Sequence, residues 1–148
     1  MKTSVVIPCY KVDQYLDDAI ASVEKQTSPV KELIVVDDGS PEPLRVRDRW
    51  KAPGELIWVR TQNQGLGAAR NVGVKRATGD FIAFLDSDDF WEPTKIQQQE
   101  DFLGNHPDAV ACYTQCVKAP GFFPFGPYPA PLLAKDQLAR MLWYGQFF

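Results

Sequence analysis

Short, wholly apolar runs that alternate with helical segments constrain the fold of this chain more than any other feature. Each run is only four or five residues long and almost entirely apolar, which is typical of strands buried on both faces. The predicted strands cover residues 4–7, 33–36, 56–59, 81–85 and 109–113. This alternation predicts an α/β fold with an open, mostly parallel sheet and helices on both of its faces.

The intervening helical segments contain residues that favour helix ends. They cover residues 13–23, 43–50, 65–77 and 93–103. Asp13 can cap the first helix, and Pro93 suits the first turn of the fourth. Gly79 follows the third helix and favours its end.

The character of the chain changes towards its end. The 148 residues suffice for one domain with a buried core, and we assign residues 1–115 to the α/β domain. Residues 119–133 hold five prolines and four aromatic residues without a period, which predicts a loop, and residues 135–144 are again helical in pattern. We expect residues 116–148 to begin a further region that is truncated at the apolar terminus, Phe148.

Charge and cysteine content exclude several classes of protein. The net charge is −3 and the 16 basic residues form no run, so no nucleic-acid partner is expected. Three cysteines cannot all pair with one another, which favours a reducing compartment. Cys112 and Cys116 are separated by three residues, but the only histidine, His106, stands outside this spacing. Buried thiols are therefore favoured over a zinc site.

The first residues contain no export signal or spanning helix, because the apolar run after Met1 is broken at Pro8. The lack of an export signal and the cysteine content together predict a cytoplasmic protein, either free or at the inner face of a membrane. Association with a membrane would depend on regions outside this chain.

Two acidic clusters follow strands of the predicted sheet. Residues 37–40 read Asp-Asp-Gly-Ser after the second strand, and residues 86–89 read Asp-Ser-Asp-Asp after the fourth. The carboxyl ends of parallel strands meet at one edge, where ligands of such folds bind. Clustered carboxylates repel one another unless a cation lies between them. Their oxygens suit Mg²⁺ or Mn²⁺, with substrate phosphates completing the coordination shell.

Each cluster taken alone also fits a simpler interpretation. Asp-Asp-Gly-Ser is typical of a turn with capping side chains, and a single Asp-x-Asp is common by chance. The combination is more specific, because both clusters follow wholly apolar strands and should lie at the same edge. We therefore predict a metal and nucleotide site at that edge.

A glycine-rich segment opens the third helix. Gly65 and Gly67 have the spacing of a dinucleotide fingerprint, but Arg70 stands where the third glycine belongs, and the segment follows the third strand instead of the first. The helix amides could still face a diphosphate with Arg70 as the cation beside it. Alternatively, Arg70 pairs with an aspartate of the acidic edge, and the two roles are compatible.

As a set, these motifs resemble family 2 glycosyltransferases of the GT-A type. The resemblance covers about residues 2–103 and rests on residues 5–10, 35–40, 63–65, 69–71 and 79–89. Lys11 departs from the family pattern, which usually has Asn there. We expect little consequence, since this side chain should start the first helix.

The resemblance implies roles for the matching residues. Pro8 and Tyr10 would line the pocket for base and ribose, and Asp38 would accept a hydrogen bond from a base ring N–H. Gly65 and Arg70 would lie near the diphosphate.

The resemblance also implies a metal site in the second acidic cluster. Asp88 would ligate Mn²⁺ or Mg²⁺, Asp86 would contact the ribose or a metal-bound water, and Ser87, the variable middle residue, would lie beside the nucleotide. A divalent ion on the diphosphate would stabilise the charge that this leaving group gains.

The activity that the resemblance implies is inverting transfer from a nucleoside-diphosphate sugar, most commonly a UDP-sugar, to a hydroxyl of a saccharide or lipid-linked acceptor, as in polysaccharide or cell-wall biosynthesis. The catalytic base is expected beyond Phe148, because neither Asp108, before the fifth strand, nor Asp136, at a helix start, is well placed. A non-catalytic module that binds nucleotide sugars is the alternative. A sugar nucleotidyltransferase would need a glycine-rich, basic loop after the first strand, and residues 8–11 do not form one.

Overall fold

The computed structural model describes residues 2–11, 15–42 and 50–114. In chain order the elements are β1 (Thr3–Cys9), α1 (Leu16–Glu24), β2 (Glu32–Asp37), β3 (Glu55–Arg60), α2 (Leu66–Arg76), β4 (Phe81–Phe84) and α3 (Lys95–Asn105). None of the helices in these ranges is both long and apolar enough to cross a membrane.

The described strands form one parallel sheet in the order β3-β2-β1-β4. β1 lies in the centre, with Val5 opposite Leu33 of β2 and Ala83 of β4. The predicted open parallel sheet is therefore confirmed. Because all four strands run the same way, their carboxyl ends lie at one edge, which we call the carboxyl edge. We call the opposite edge the amino edge.

Helices cover both faces of the central strands. β1 and β2 are buried along their whole length, as the apolar runs predict. Val5 and Ile7 pack in one cluster with residues of α1, and Val6 packs in a second cluster with Ala69 of α2. Helix α2 approaches the sheet so closely that a Cβ at Gly73 would clash with Cγ1 of Val6.

β1 continues through Pro8 to Cys9, although the sequence predicts that it stops at Pro8. Val6 O accepts a hydrogen bond from Leu85 on the β4 side, whereas Cys9 O accepts one from Asp38 on the β2 side. Pro8 has the same strand parity as Val6, so its missing N–H would face the β4 side. β4 already ends opposite Val6, and the proline therefore removes no ladder hydrogen bond there.

One further prediction of secondary structure is wrong, and another is not tested. Residues 109–113 do not form a strand and contain only an isolated bridge residue, Ala111. Helix α1 begins at Leu16 with Tyr15 at the N-cap position and no side-chain cap, whereas the capping residue predicted from sequence, Asp13, lies outside the described residues.

The chain divides into a compact unit up to Gln97 and a second unit from Gln98 onwards. In the second unit, the His106 ring stacks on Phe102 with 4.1 Å between ring centroids. The predicted helix at 43–50, except Trp50, lies outside the described residues, as do Cys116, the loop at 119–133 and the helix at 135–144. The domain boundary at residue 115 stays a prediction.

Candidate functional site at the carboxyl edge

The loops that follow the four strands are linked by hydrogen bonds at the carboxyl edge. Lys11 N, after β1, donates to Ser40 Oγ, after β2, at 2.8 Å. Asp38, after β2, contacts the start of α2, and Arg70 of α2 pairs with Asp86 after β4. The predicted residues of the two acidic clusters thus lie on one connected edge, as the parallel strands require.

Asp38 holds the loop that precedes α2. This side chain is only 4% exposed. Its Oδ1 accepts hydrogen bonds from Thr61 Oγ1 (3.1 Å) and Gln64 N (3.0 Å), and its Oδ2 accepts one from Gly65 N (2.7 Å). A carboxylate offers about four acceptor positions, so one remains on Oδ2. The sequence did not predict this loop-holding role, because Asp38 and Gly65 are 27 residues apart.

Asp37 closes a turn of the kind that the simpler interpretation of Asp-Asp-Gly-Ser predicts. It is fully buried, and its Oδ1 accepts a hydrogen bond from Ser40 N at 2.8 Å. Gly39 has φ +75°, and a Cβ there would lie 2.7 Å from Asn63 N, so only glycine fits this turn. The turn and the contacts of Asp38 therefore coexist within one motif.

A cation compensates the buried Asp37 carboxylate only in part. Arg60 Nε lies 3.8 Å from Asp37 Oδ2, and Arg60 also donates to Ser40 O at 2.5 Å. Asp37 Oδ2 has no hydrogen-bond partner among the described residues. Burial raises the pKa of the neighbouring Cys9 thiol to about 12, and the charges of Asp37 and Asp38 add to this effect. Cys9 is therefore a neutral thiol and not a nucleophile.

The acidic loop, defined here as residues 86–91, carries three aspartates close together. Arg70 Nη2 lies 2.6 Å from Asp86 Oδ1, which confirms the pairing of Arg70 with the acidic edge. The pKa of Asp89 is raised by burial and, next, by the charges of Asp88 and Asp86. Negative charge on this loop therefore exceeds what Arg70 compensates, and a cation would lower its energy.

The carboxylates of the acidic loop fit a divalent metal of the predicted kind. Mg²⁺ is usually bound through one or two carboxylates and substrate phosphates. Asp86 and Asp88 supply hard oxygen ligands of this type. Among the described residues, no group of three or more His, Cys, Asp or Glu side chains is arranged as a metal site, and a site completed by phosphate oxygens does not require one.

The other predicted site residues lie in different surroundings. Tyr10 follows β1 directly and is 46% exposed, whereas Pro8 is buried in the strand. Ser87 is half-buried in a turn closed by Asp89 N and Asp86 O at 3.1 Å.

Lys11 differs from expectation. It lies five residues before α1 and has φ +64°, in the left-handed region that asparagine adopts more readily than lysine. Its Nζ lies 5.5 Å from the centroid of the Tyr10 ring. The prediction that Lys11 starts the first helix is therefore wrong, because the residue belongs to the edge loop itself.

An open parallel sheet with acidic loops at its carboxyl edge places the chain among α/β proteins whose ligands bind beyond the carboxyl ends of the strands. The chain matches the model of glycosyl transferase family 2 over residues 4–145. It is 43% identical over 101 residues to an uncharacterised glycosyltransferase of Nostoc sp., and the alignment covers 66% of this chain and 31% of that protein. It is 34% identical over 128 residues to the minor teichoic acid biosynthesis protein GgaB of Bacillus subtilis, and the alignment covers 83% of this chain and 14% of that protein. The chain belongs to glycosyl transferase family 2.

A solved structure agrees with this assignment. S. aureus TarS 1-349 in complex with UDP-GlcNAc superposes with a TM-score of 0.62 and 32% identity, over 72% of this chain and 32% of that chain. The fold is thus of the GT-A type. The chain spans less than a third of the length of the two relatives described above.

Proposed function

We propose that this chain is the donor-binding part of a metal-dependent, inverting glycosyltransferase that transfers a sugar from a UDP-sugar to an acceptor hydroxyl. The main observation in support is that two aspartates of the carboxyl edge both contact α2. Asp38 bonds to Gly65 at its start, and Asp86 bonds to Arg70. Membership of glycosyl transferase family 2 and the UDP and UDP-GlcNAc complexes of TarS support a uridine nucleotide as the donor.

The residues of the carboxyl edge would divide the work of donor binding. Asp38 would keep the loop before α2 in place and offer its remaining acceptor position to a base ring N–H. The exposed Tyr10 ring would pack beside the base. The free amides in the first turn of α2 would face the diphosphate.

Arg70 would contribute a positive charge to the diphosphate. One of its nitrogens already pairs with Asp86, and its Nε has no hydrogen-bond partner among the described residues. Asp88 and Asp86 would hold Mn²⁺ or Mg²⁺. When bound, this ion would neutralise charge on the leaving diphosphate.

We further propose that the catalytic base comes from beyond Phe148. Asp108 is exposed in the turn after α3, and Asp136 lies outside the described residues. The acceptor would be a saccharide or lipid-linked saccharide on the cytoplasmic side of a membrane, and the name of the relative GgaB supports a cell-wall polymer.

Calorimetry of the 148-residue chain with UDP tests the proposal. We expect affinity at least about tenfold higher with Mn²⁺ than after chelation, because the metal links carboxylates to phosphates. Equal affinities would contradict the metal role. A panel of nucleotide sugars, compared at equal concentration by thermal stabilisation with Mn²⁺, identifies the donor, since a ligand that binds only the folded state stabilises it more the more tightly it binds. A longer protein that binds the donor but transfers nothing to any acceptor would favour the non-catalytic module instead.

A further inference from the structure

Gln26, in the connection between α1 and β2, joins parts of the chain that are far apart in sequence. Its side chain is buried, with 7% exposed. The amide nitrogen donates to Ser22 O at 3.1 Å and to Glu92 O at 2.8 Å, and the amide oxygen accepts the backbone N–H of Ile96 at 2.9 Å. Both amide hydrogens and one acceptor position are therefore used.

The neighbouring Thr27 adds two contacts to the same segment. Its backbone N–H donates to Pro93 O at 2.8 Å, and its hydroxyl donates to Gln97 Oε1 at 2.9 Å. Ile96 N is one of the first amides of α3, which have no partner within the helix. Gln26 therefore acts as a cap for α3 that comes from a distant part of the sequence.

These contacts fix one end of the acidic loop, and β4 fixes the other. Leu85, directly before the loop, is buried and donates its N–H to Val6 O at 3.1 Å. The six residues 86–91 therefore connect two fixed points. A short loop with both ends fixed has few conformations available, although its three carboxylates repel one another.

We propose that Gln26 is a positioning residue for the acidic loop and sets the place of Asp88 relative to the donor diphosphate. This inference rests on the proposed function, because it assigns Asp88 to the metal. Without the hydrogen bonds of Gln26, carboxylate repulsion would move the loop outwards, and displacement of a ligand by about 1 Å is enough to weaken a metal site.

Hydrogen exchange tests the anchoring directly. Gln26→Leu keeps approximately the size of the side chain and removes its three hydrogen bonds. Ser22→Ala is the matched control, because it removes a buried hydroxyl that bonds to Ala19 O at 2.7 Å but leaves the Ser22 carbonyl in place. At equal global stability, adjusted with denaturant, we expect amides of residues 86–91 to exchange at least about tenfold faster in Gln26→Leu than in Ser22→Ala. Equal exchange rates would overturn the proposal.

Nucleotide binding tests the consequence for the metal. In Gln26→Leu we expect the Mn²⁺-dependent gain in UDP affinity to fall about tenfold, as for other residues that orient metal ligands, while uridine affinity without metal stays within about twofold. Gln26→Glu, which is nearly isosteric but lacks the two donors, should behave in the same way.

A parallel loss of uridine and UDP–Mn²⁺ affinity would show that Gln26 supports the fold generally, and the proposal would be wrong. If the unmodified chain shows no metal-dependent UDP affinity, the proposed function fails instead. In that case hydrogen exchange still decides whether Gln26 holds the loop.

Discussion

Glu32 at the amino edge of the sheet and the aspartates at the carboxyl edge are surrounded in different ways. Glu32 is 3% exposed, and its oxygens accept hydrogen bonds from Ser4 Oγ at 2.6 Å, Thr78 N at 2.6 Å and Thr78 Oγ1 at 3.1 Å. Ser4 Oγ in turn accepts Gly79 N at 2.8 Å. This network joins β1, β2 and the connection from α2 to β4. At the carboxyl edge, by contrast, Asp37 Oδ2 lacks a hydrogen-bond partner among the described residues.

The pKa values of Glu32 at the amino edge and Asp89 at the carboxyl edge shift in opposite directions. Burial alone would raise the pKa of Glu32, but hydrogen bonds from Ser4 and Thr78 and the charge of Lys31 outweigh it, so this pKa is lowered. The pKa of Asp89 is raised by burial and by its acidic neighbours. The satisfied carboxylate of Glu32 stabilises the fold, whereas the crowded carboxylates of the acidic loop are of the kind expected where a ligand completes their interactions.

Asp88→Asn should produce the largest effect and separates binding from stability. We expect Mn²⁺-dependent UDP affinity to fall by about 100-fold or more, which corresponds to about 2.7 kcal/mol. The free energy of unfolding should stay within about 0.5 kcal/mol, because the substitution also removes repulsion. Calorimetry and urea denaturation measure the two quantities, with Asp18→Asn on the exposed side of α1 as the control. Loss of stability with unchanged affinity would reverse the roles assigned to the two edges.

Glu32→Gln should show the complementary result at the amino edge. Loss of hydrogen bonds to a buried charged acceptor costs about 2 kcal/mol, and UDP affinity should stay within twofold. Glu55→Gln is a matched control, since Glu55 pairs with Glu32 in register but is exposed, and we expect it to change stability by less than about 0.5 kcal/mol. Urea denaturation that gives equal losses for both variants would contradict the importance of the network.

The fold could be predicted in outline because the burial of the central strands is recorded in their own residues, although the equally apolar runs of β3 and β4 are only partly buried. The apolar runs at β1 and β2 required no knowledge of their partners. The site was predictable in outline for the same reason, since parallel strands bring their ends to one edge. The individual contacts were not. The contact of Asp38 with Gly65 joins residues 27 positions apart, and that of Gln26 with Ile96 joins residues 70 positions apart. The sequence around Asp38 or Gln26 does not distinguish these side chains from ones that only cap a turn or face solvent.

The pH dependence of stability gives a smaller, graded test of the amino edge. Because the pKa of Glu32 is lowered in the folded state, its stabilisation is complete above the ordinary value of about 4.3 and is lost as the pH falls through the folded value. The difference in unfolding free energy between the unmodified chain and Glu32→Gln should therefore be constant above about pH 5 and narrow below about pH 4. Urea denaturation at a series of pH values from below about 4 to above about 5 measures this difference. A difference that widens towards low pH would contradict the lowered pKa of Glu32.

Lys11→Asn should have the smallest effect. It compares the backbone strain at residue 11 with the contact that the lysine side chain makes with Tyr10. Asparagine relieves part of the cost of φ +64°, about 1 kcal/mol for a lysine, but it removes the contact of Nζ with the Tyr10 ring, about 0.5 kcal/mol at an exposed site. We therefore expect a gain in unfolding free energy of at most about 0.5 kcal/mol. Lys11→Ala loses the same contact without asparagine's tolerance of this backbone, so it should be less stable than the unmodified chain. Urea denaturation that ranks lysine above asparagine would mean that the contact with Tyr10 outweighs the backbone cost.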